Sequence, residues 1–567
     1  MRGSEIAYCI CHNLALKTQR FAMKSPSSIN SSQKSTGKAC LGFVLLCMLL
    51  PVPLVHAQKV PLLDQYKRMH QDALKKIVDG EPRKAKEDLS AILEQLPEDA
   101  ESHYMLAVAH AKLGEKAAAI ASVEKAIEAG LPVSRFLTGT KTGLEPIQDE
   151  PAFKKLRGMP HDALAHGPML GCVTGSSVRI WVRTAGVQSV IAKISNANGV
   201  VESKTVLTTV DSDHTAVLEI NGLTANTEYS YSVGTAAASG ADLVWHNGGK
   251  FKTLEDKGTP IKFRLAFGGG AGFVPQHEYM WDTIRAEKPD VLFLLGDNVY
   301  SDAPKMPEMQ HYCYYRRQSR PEFKQLIGNT PTYTIWDDHD FGTNDCSGGP
   351  AINEPKWKLP VYRVFRNNWV NPGYGGGDAQ PGCYYDFYLG DIHFVMLDGR
   401  YYRDLDDKQM PTMLGPVQRE WLLEKIKAST GKLLVLCSPV PWVFEAKGDS
   451  KDTWNGFKEE RKVIFDLLSE RKKDGVLLMS ADRHRSDLWK IERPDGYPLY
   501  EFNSSRLTNQ HVHKEMPAAV FSYNKKQSFG TIDFDTTLDD PTITYRVISI
   551  DGEEVHRHTL RRSQLKH

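Results

Sequence analysis

Hydrophobic positions follow three different patterns along the chain. Between residues 62 and 133 they recur at helical spacing, with small residues where helices would cross. From Gly167 the period changes to two. Val178, Ile180 and Val182 alternate with Arg179, Trp181 and Arg183, and residues 216–220 and 228–233 follow as further short strands. From residue 260 onward, short apolar runs alternate with amphipathic stretches. Strands are expected at 263–267, 291–295, 332–336, 393–397, 433–437 and 476–479, and helices at 277–287, 417–429 and 458–472. Residues 500–503, 531–534 and 542–550 read as late antiparallel strands. The expected architecture is multidomain: an α-helical repeat at 62–133, a connector at 134–166, a β-sandwich at 167–255 and an α/β domain at 260–567.

Three of the apolar strands run straight into metal-ligand residues. The 291–295 run ends in Gly296-Asp297-Asn298-Val299-Tyr300, the 333–336 run in Asp337-Asp338-His339-Asp340, and the 476–479 run in Ser480-Ala481-Asp482-Arg483-His484. Ligands of open α/β sheets bind outside the carboxyl ends of strands, so these ends predict one metal-centred site built from distant segments. Asp297 follows a glycine that permits a sharp turn, and its two oxygens could bridge two cations. Read alone, it is an N-capping turn residue. Four consecutive ionisable residues at 337–340 repel one another without a cation, and His339 can donate a proton to a leaving group. Read alone, they are an exposed acidic turn. In extended backbone Asp482 and His484 would point the same way and share a metal. Arg483 and Arg485 are nearby cations for phosphate oxygens; alone, they read as a surface ion pair.

Residues 62–133 also repeat. Gly80-Glu81 recurs as Gly114-Glu115, and at the same offset Ala85 matches Ala119, Leu89 matches Val123 and Leu93 matches Ile127. This period resembles tetratricopeptide repeats. Two such units are fewer than usually stand alone, so the segment is expected to dock on a neighbour, with a protein partner as the further option. A plain helical hairpin is the simpler reading. Residues 223–231 resemble the strand entry of a fibronectin-type sandwich, for which a structural or orienting role is expected.

At the three strand ends the chain resembles the calcineurin-like metallophosphoesterases, and within them the PhoD-type alkaline phosphatases. The matching motifs are Gly296-Asp297-x-x-Tyr300, the run from Trp336 to Asp340 with Asn344-Asp345 after it, and Ala481-Asp482-x-His484. Leu397-Asp398-Gly399-Arg400, Trp454-x-Gly456-Phe457 and Tyr500-Glu501-x-x-Ser504-Ser505 extend the likeness over about 167–550. The resemblance implies a metal-dependent hydrolase of phosphomonoesters, phosphodiesters or both, acting on a small phosphate ester. It implies metal ligation by Asp297, Tyr300, Asp338, Asp482 and His484, with His339 and Arg483 as catalytic groups. It also implies Ca²⁺ and Fe(III), with Tyr300 as a tyrosinate on iron. The family's cysteine after the first strand is replaced by Gly270, which leaves the iron site without that ligand. The aromatic and basic run Tyr312–Arg320 could wall the pocket, with Arg316 and Arg400 as candidate substrate-binding groups; packed tyrosines on a helix face are the alternative. A catalytically reduced scaffold acting through its helical repeats is the competing function, and Gly270 is what favours it.

Composition narrows the remaining choices. With 41% hydrophobic and 25% charged residues among 567, the chain reads as globular and not disordered. Its 70 basic and 69 acidic residues leave no basic excess for a nucleic-acid duplex. Lys34 and Lys38 precede an apolar run at 41–55 broken by Pro51 and Pro53, and Val55-His56-Ala57 offers a cleavage site. Residues 1–57 therefore read as an export signal, with Met23 as an alternative start and a periplasmic or extracellular destination. A membrane anchor is the competing reading for that run; beyond it no stretch could span a membrane. Export permits disulfides, and the five cysteines after residue 57 leave at least one unpaired, with a pairing among Cys313, Cys346 and Cys383 open.

Overall fold

The structure is a computed structural model and describes residues 61–138, 143–158, 163–237, 242–406 and 410–567. The expected export signal and the alternative start at Met23 lie outside the described residues. Among the described residues no helix is long and apolar enough to cross a membrane.

Four helices open the described chain: α1 (Pro61–Val78), α2 (Pro82–Gln95), α3 (Ala100–Lys112) and α4 (Lys116–Glu128). Each packs on the next, and α1 also reaches α3. The residues paired by the 34-residue offset share one interior, since Ala85, Leu89, Ala119 and Val123 are fully buried. Small residues there let the helix axes approach closely. The segment is fastened to the Pro307–Gln318 helix. Tyr312 donates to the Glu101 carboxylate at 3.0 Å, its ring stacks on Tyr104 at 6.3 Å, and the Arg135 guanidinium lies 4.3 Å above Tyr104. The helices thus form a fixed wall on the rest of the chain, as their short length requires.

The connector holds short helices at Ser134–Leu137 and Pro151–Gly158, and the first strand of the sandwich begins at Leu164, inside the expected connector. Two antiparallel sheets follow. One comprises Leu164–Gly171, Ser177–Thr184 and Thr215–Asn221. The other is ordered Gly199–Glu202, Gln188–Asn196, Glu228–Ala237 and Val244–Lys252, with Val206–Leu207 also pairing to the second of these. Val178, Ile180 and Val182 are fully buried as expected, but Trp181 and Arg183 of the alternate positions are buried too, so both faces of this strand are covered toward its end. Polar anchors tie these sheets to the chain beyond residue 262. Buried Arg183 meets Asp213 at 3.0 Å, Gln318 at 2.8 Å and Asn368 at 3.0 Å, and Tyr231 donates to the Gly328 carbonyl at 2.7 Å.

Residues 262–561 are built on two sheets. The first is ordered Thr332–Ile335, Val291–Leu295, Lys262–Gly268, Ser528–Asp535, Thr542–Ser549 and Glu554–Arg561, parallel over its first three strands and antiparallel beyond. The second is ordered Tyr385–Leu389, Ile392–Met396, Leu433–Cys437, Val476–Ser480, Leu499–Ser504, Ser486–Ile491 and Phe521–Tyr523. Aromatic side chains fill the space between them, with Phe502 stacked on Tyr545 at 4.7 Å and Phe293 edge-on to Phe394 at 5.1 Å. The parallel strands are buried on both faces, which is why they read as unbroken apolar runs.

Register brings the strand ends to one edge. Leu295 pairs with Ile335, Leu294 with Gly268, and Ser480 with Asn503. Gly269 stitches the two sheets together: its N–H reaches the Ser504 carbonyl at 3.1 Å, and its carbonyl accepts from Leu507 N–H at 3.1 Å. A Cβ at Gly269 would stand 2.8 Å from the Ala481 methyl and 2.9 Å from the Gly296 carbonyl, so only glycine lets the three ends meet. Cys172, Cys313, Cys346, Cys383 and Cys437 are all free thiols, so the disulfide considered among Cys313, Cys346 and Cys383 is not formed.

Candidate metal centre

At this edge Tyr300, Asp338, His339, Asp482, Arg483 and His484 line one cavity of about 350 Å³. Asp297 is buried at its base, and ligand atoms of Asp297, Asp338 and His339 all lie within 4.8 Å of one another. A second group with the same spacing joins Asp338 to Asp345 and Asp452. Asp338 is therefore the carboxylate common to both groups, a place the motifs had suggested for Asp297. Asp345 was visible in its motif, whereas Asp452 carried no sequence signal.

Five residues here hold left-handed backbone without being glycine: Asp297 at φ 52°, Asp302 at φ 50°, Asp345 at φ 56°, Asp482 at φ 67° and His484 at φ 45°. The expectation that Asp482 and His484 share a face of extended backbone is thereby corrected. A tight turn after Ser480, not the pleat of a strand, aims them into the cavity. Such conformations cost on the order of 1 kcal/mol each and persist where the surroundings impose them. His484 N–H donates to Ser505 Oγ at 2.7 Å, and Asn503 holds the Ala481 carbonyl at 2.6 Å.

The electrostatics favour a cation. Burial pushes the Asp297 carboxyl well above the usual range, and neighbouring Asp338, Asp337 and Asp340 push it further against the pull of His339. Burial raises Asp337 to about 8 and Asp340 to about 7, although Arg400 and three backbone N–H groups respectively oppose it. Oδ1 of Asp297 and Oδ2 of Asp337 are buried without a hydrogen-bond partner. Burial would lower His339, but Asp297, Asp302 and Asp338 raise it to about 10. Burial holds His484 well below its ordinary value, helped by His513, His511 and Arg483, which keeps its imidazole neutral and able to ligate. A bound cation would relieve the carboxylate repulsion and satisfy the orphaned oxygen of Asp297. The residues present thus fit metal binding.

Tyr300 Oη donates to Asp297 Oδ2 at 2.9 Å and accepts from Asn509 Nδ2 at 2.6 Å. Burial, with Asp297 next, raises it well above its ordinary value, so it is a phenol unless a strong Lewis acid sits beside it. At Gly270, φ is +70°, and a Cβ would stand 3.2 Å from Nδ1 of His484 and 3.0 Å from the Ser505 carbonyl. The imidazole thus crowds the space into which a thiol at 270 would project.

His339 Nδ1 bonds the Asp302 carboxylate, which is paired in turn with Arg68 of α1. Motif reasoning missed Asp302, five residues beyond Asp297, although an acid at that spacing from a candidate histidine partner was readable. Asp302→Asn is expected to lower kcat about 10- to 100-fold through a misoriented His339, with metal content unchanged. Turnover measured beside metal analysis checks this, and parallel loss of both would place Asp302 among the ligands.

The two arginines expected to bind substrate stand elsewhere. Arg400 is fully buried behind the cavity, donating to Asp337 at 2.5 Å and Asp452 at 2.6 Å. Arg316 is buried against aromatic rings, 4.2 Å from Phe273 and 5.1 Å from Tyr312. Neither lines the cavity. The Tyr312–Arg320 run does not wall the site: Tyr312 packs on Tyr104 of α3, Tyr314 on Trp369 and Tyr315 on His166. Cations that do line the cavity are Lys67 and Arg68 of α1, Lys447 and Arg483, beside the imidazoles of His511 and His513, which burial holds below their ordinary values.

Comparison with known proteins agrees with this geometry. Residues 265–537 match the PhoD-like phosphatase family, and residues 161–246 match a domain of unknown function, DUF7800. Alkaline phosphatase D of Bacillus subtilis (strain 168) is 23% identical over 343 residues, which cover 52% of this chain. The chain spans 58% of the length of that curated relative. The solved structure of PhoD aligns over 72% of this chain and 92% of its own length, at 18% identity and a TM-score of 0.58, and so shares the fold. The residues matched to the PhoD-like phosphatase family, 265–537, carry every acidic residue and histidine of the cluster.

Proposed function

We propose that this chain is an exported, metal-dependent phosphohydrolase that cleaves small phosphate esters. The observation that carries the reading is the crowding of Asp297, Asp338 and His339 at the base of a cavity whose walls bear Arg483 and other cations. Asp297, Asp338, Asp482 and His484 would hold the metal ions, with Asp345 and Asp452 as further carboxylates beside Asp338. When bound, such ions supply a water of lowered pKa and polarise the phosphoryl oxygens. The chain's own groups do the remaining work. Nδ1 of His339 is held by Asp302, which leaves Nε2 to face the leaving oxygen and protonate it. Arg483 is tied to Asp482 at 3.0 Å through Nη1, while its Nε is buried without a partner. That unmet donor suits an equatorial phosphate oxygen, where charge builds in the transition state.

The ligand set is rich in oxygen, which suits Ca²⁺ and other hard divalent ions. Fe(III) at Tyr300 is compatible with the phenol's position and would have to bind without a thiolate from position 270. Export rests on the pattern of residues 34–57, and both monoesters and diesters suit the same arrangement.

The test is metal analysis of purified protein, together with hydrolysis of a chromogenic phosphomonoester and phosphodiester before and after chelation. The expected result is near-stoichiometric metal, turnover of at least one ester, and loss of turnover on chelation with recovery on metal addition. A metal-free chain that turns over neither ester under any reconstitution would overturn the reading in favour of a scaffold.

A further inference from the structure

The phosphatase domain does not build its cavity alone, because one wall comes from α1, some 230 residues earlier in the chain. That helix is pinned in place by three of its side chains. Gln71 donates to the Tyr300 carbonyl and lies 3.0 Å from Cys313 Sγ, Arg68 pairs with Asp302, and the Tyr66 ring stacks on Phe273 at 6.1 Å. Lys67 is thereby carried to the cavity, its ammonium 4.2 Å above the Tyr300 ring and 3.3 Å from Oδ1 of Asn509.

Lys67 differs from the other fixed cations of the wall. Arg68 is paired with Asp302, Arg483 with Asp482 at 3.0 Å, and Lys447 with Asp345 at 2.9 Å and Asp452 at 2.8 Å. Among the described residues Lys67 has no carboxylate within ion-pair distance, and its single acceptor is the neutral amide of Asn509. A half-buried ammonium with no carboxylate paired to it is stabilised by an incoming anion. It stands one tyrosine ring away from Asp297, since Tyr300 bonds that carboxylate. The cavity is lined by charged and polar side chains and Tyr300, with no aliphatic residue, so nothing in it would shelter a lipid tail.

We infer that Lys67 of the helical segment binds a second anionic group of the substrate, so that the site prefers small phosphate esters carrying an additional carboxylate or phosphate. This rests on the phosphohydrolase reading and assigns the helical segment a role in substrate choice.

The test compares two esters of one carbon skeleton, glycerol 3-phosphate and 3-phosphoglycerate, with 2,3-bisphosphoglycerate as the arm that separates a second phosphate from a carboxylate. The whole chain loaded with metal is expected to favour the anion-bearing esters by about tenfold in kcat/KM, mostly through KM. Lys67→Met is expected to bring that ratio close to one, and Lys67→Arg to restore it. A ratio near one in the unmodified chain, or a ratio that survives Lys67→Met, overturns the inference. So does an equal loss on all three esters in Lys67→Met, which would place the ammonium on the reacting phosphate. Turnover of glycerol 3-phosphate by the unmodified chain reports on the phosphohydrolase reading separately. If no ester is turned over, that reading falls and this inference with it.

Discussion

Asp297→Asn is expected to lower kcat/KM by at least about a thousandfold, roughly 4 kcal/mol of transition-state stabilisation. The amide keeps the size of the side chain and one oxygen but loses the charge that would hold a cation next to Asp338 and His339. Stability should move the other way in metal-free protein. Asp297 is buried among like charges and its Oδ1 is unpaired, so neutralising it removes repulsion. The melting temperature of the metal-free variant should rise, while the increment on adding metal should shrink. Full turnover in Asp297→Asn, or an unchanged metal-induced increment, would remove Asp297 from the centre.

The same charges give a pH dependence. Folded Asp337 and Asp340 lie at about 8 and about 7, against about 4 for an unfolded aspartate. Each binds its proton more tightly in the folded chain. Their contribution is therefore fully present below about pH 4 and is lost as pH rises through 7 and 8. His339, raised to about 10, has the same sign. Asp302 and Asp482 are lowered, so they act oppositely, and only below about pH 4. Metal-free protein should thus lose stability between about pH 6.5 and 8, above the range in which His484 and His513, held below their ordinary values, act oppositely, and added metal should flatten the profile, as thermal scans would record.

Much of the centre was legible in sequence because a parallel strand buried on both faces is a continuous apolar run, and the residues just past its end must face the edge of the sheet. Asp297, Asp338 and Asp482 stood out for that reason. Side-chain direction within a loop was not legible. Arg400 and Arg485 look as suited to phosphate as Arg483, yet Arg400 turns inward to Asp337 and Asp452, and Arg485 to Asp487 at 2.8 Å. Contacts between remote segments were also out of reach. Nothing in the period of α1 marks Lys67, Arg68 and Gln71 as active-site neighbours, since they lie on an ordinary amphipathic helix. The His511-x-His513 pair repeats the spacing of Asp482-x-His484 and was a usable signal. No strand leads into it, so it drew no attention. The helical segment was expected to dock, from its small number of repeats, but where it docks depended on Tyr104, Arg135 and Tyr312 meeting across the chain.

Arg400→Met should be the most destabilising single change near the site, by about 3–5 kcal/mol. The guanidinium is fully buried and joins carboxylates from two segments, Asp337 after one strand and Asp452 in a distant loop. Methionine keeps the apolar stem but leaves Asp337 with no cation, while Asp452 retains Arg403 and Lys447 at 2.8 Å. The loss should therefore fall mainly on Asp337, whose Oδ2 already lacks a partner. This asymmetry predicts a rescue. Asp337→Asn in the Arg400→Met background should recover at least about 1 kcal/mol, because the two residues are directly coupled. Asp452→Asn in the same background should recover less, since its carboxylate is still paired. Chemical denaturation of the single and double variants measures both couplings. If Asp452→Asn rescues better than Asp337→Asn, Arg400 serves chiefly to tether the 447–452 loop over the cavity, and Lys447 would be expected to leave the wall when Arg400 is removed.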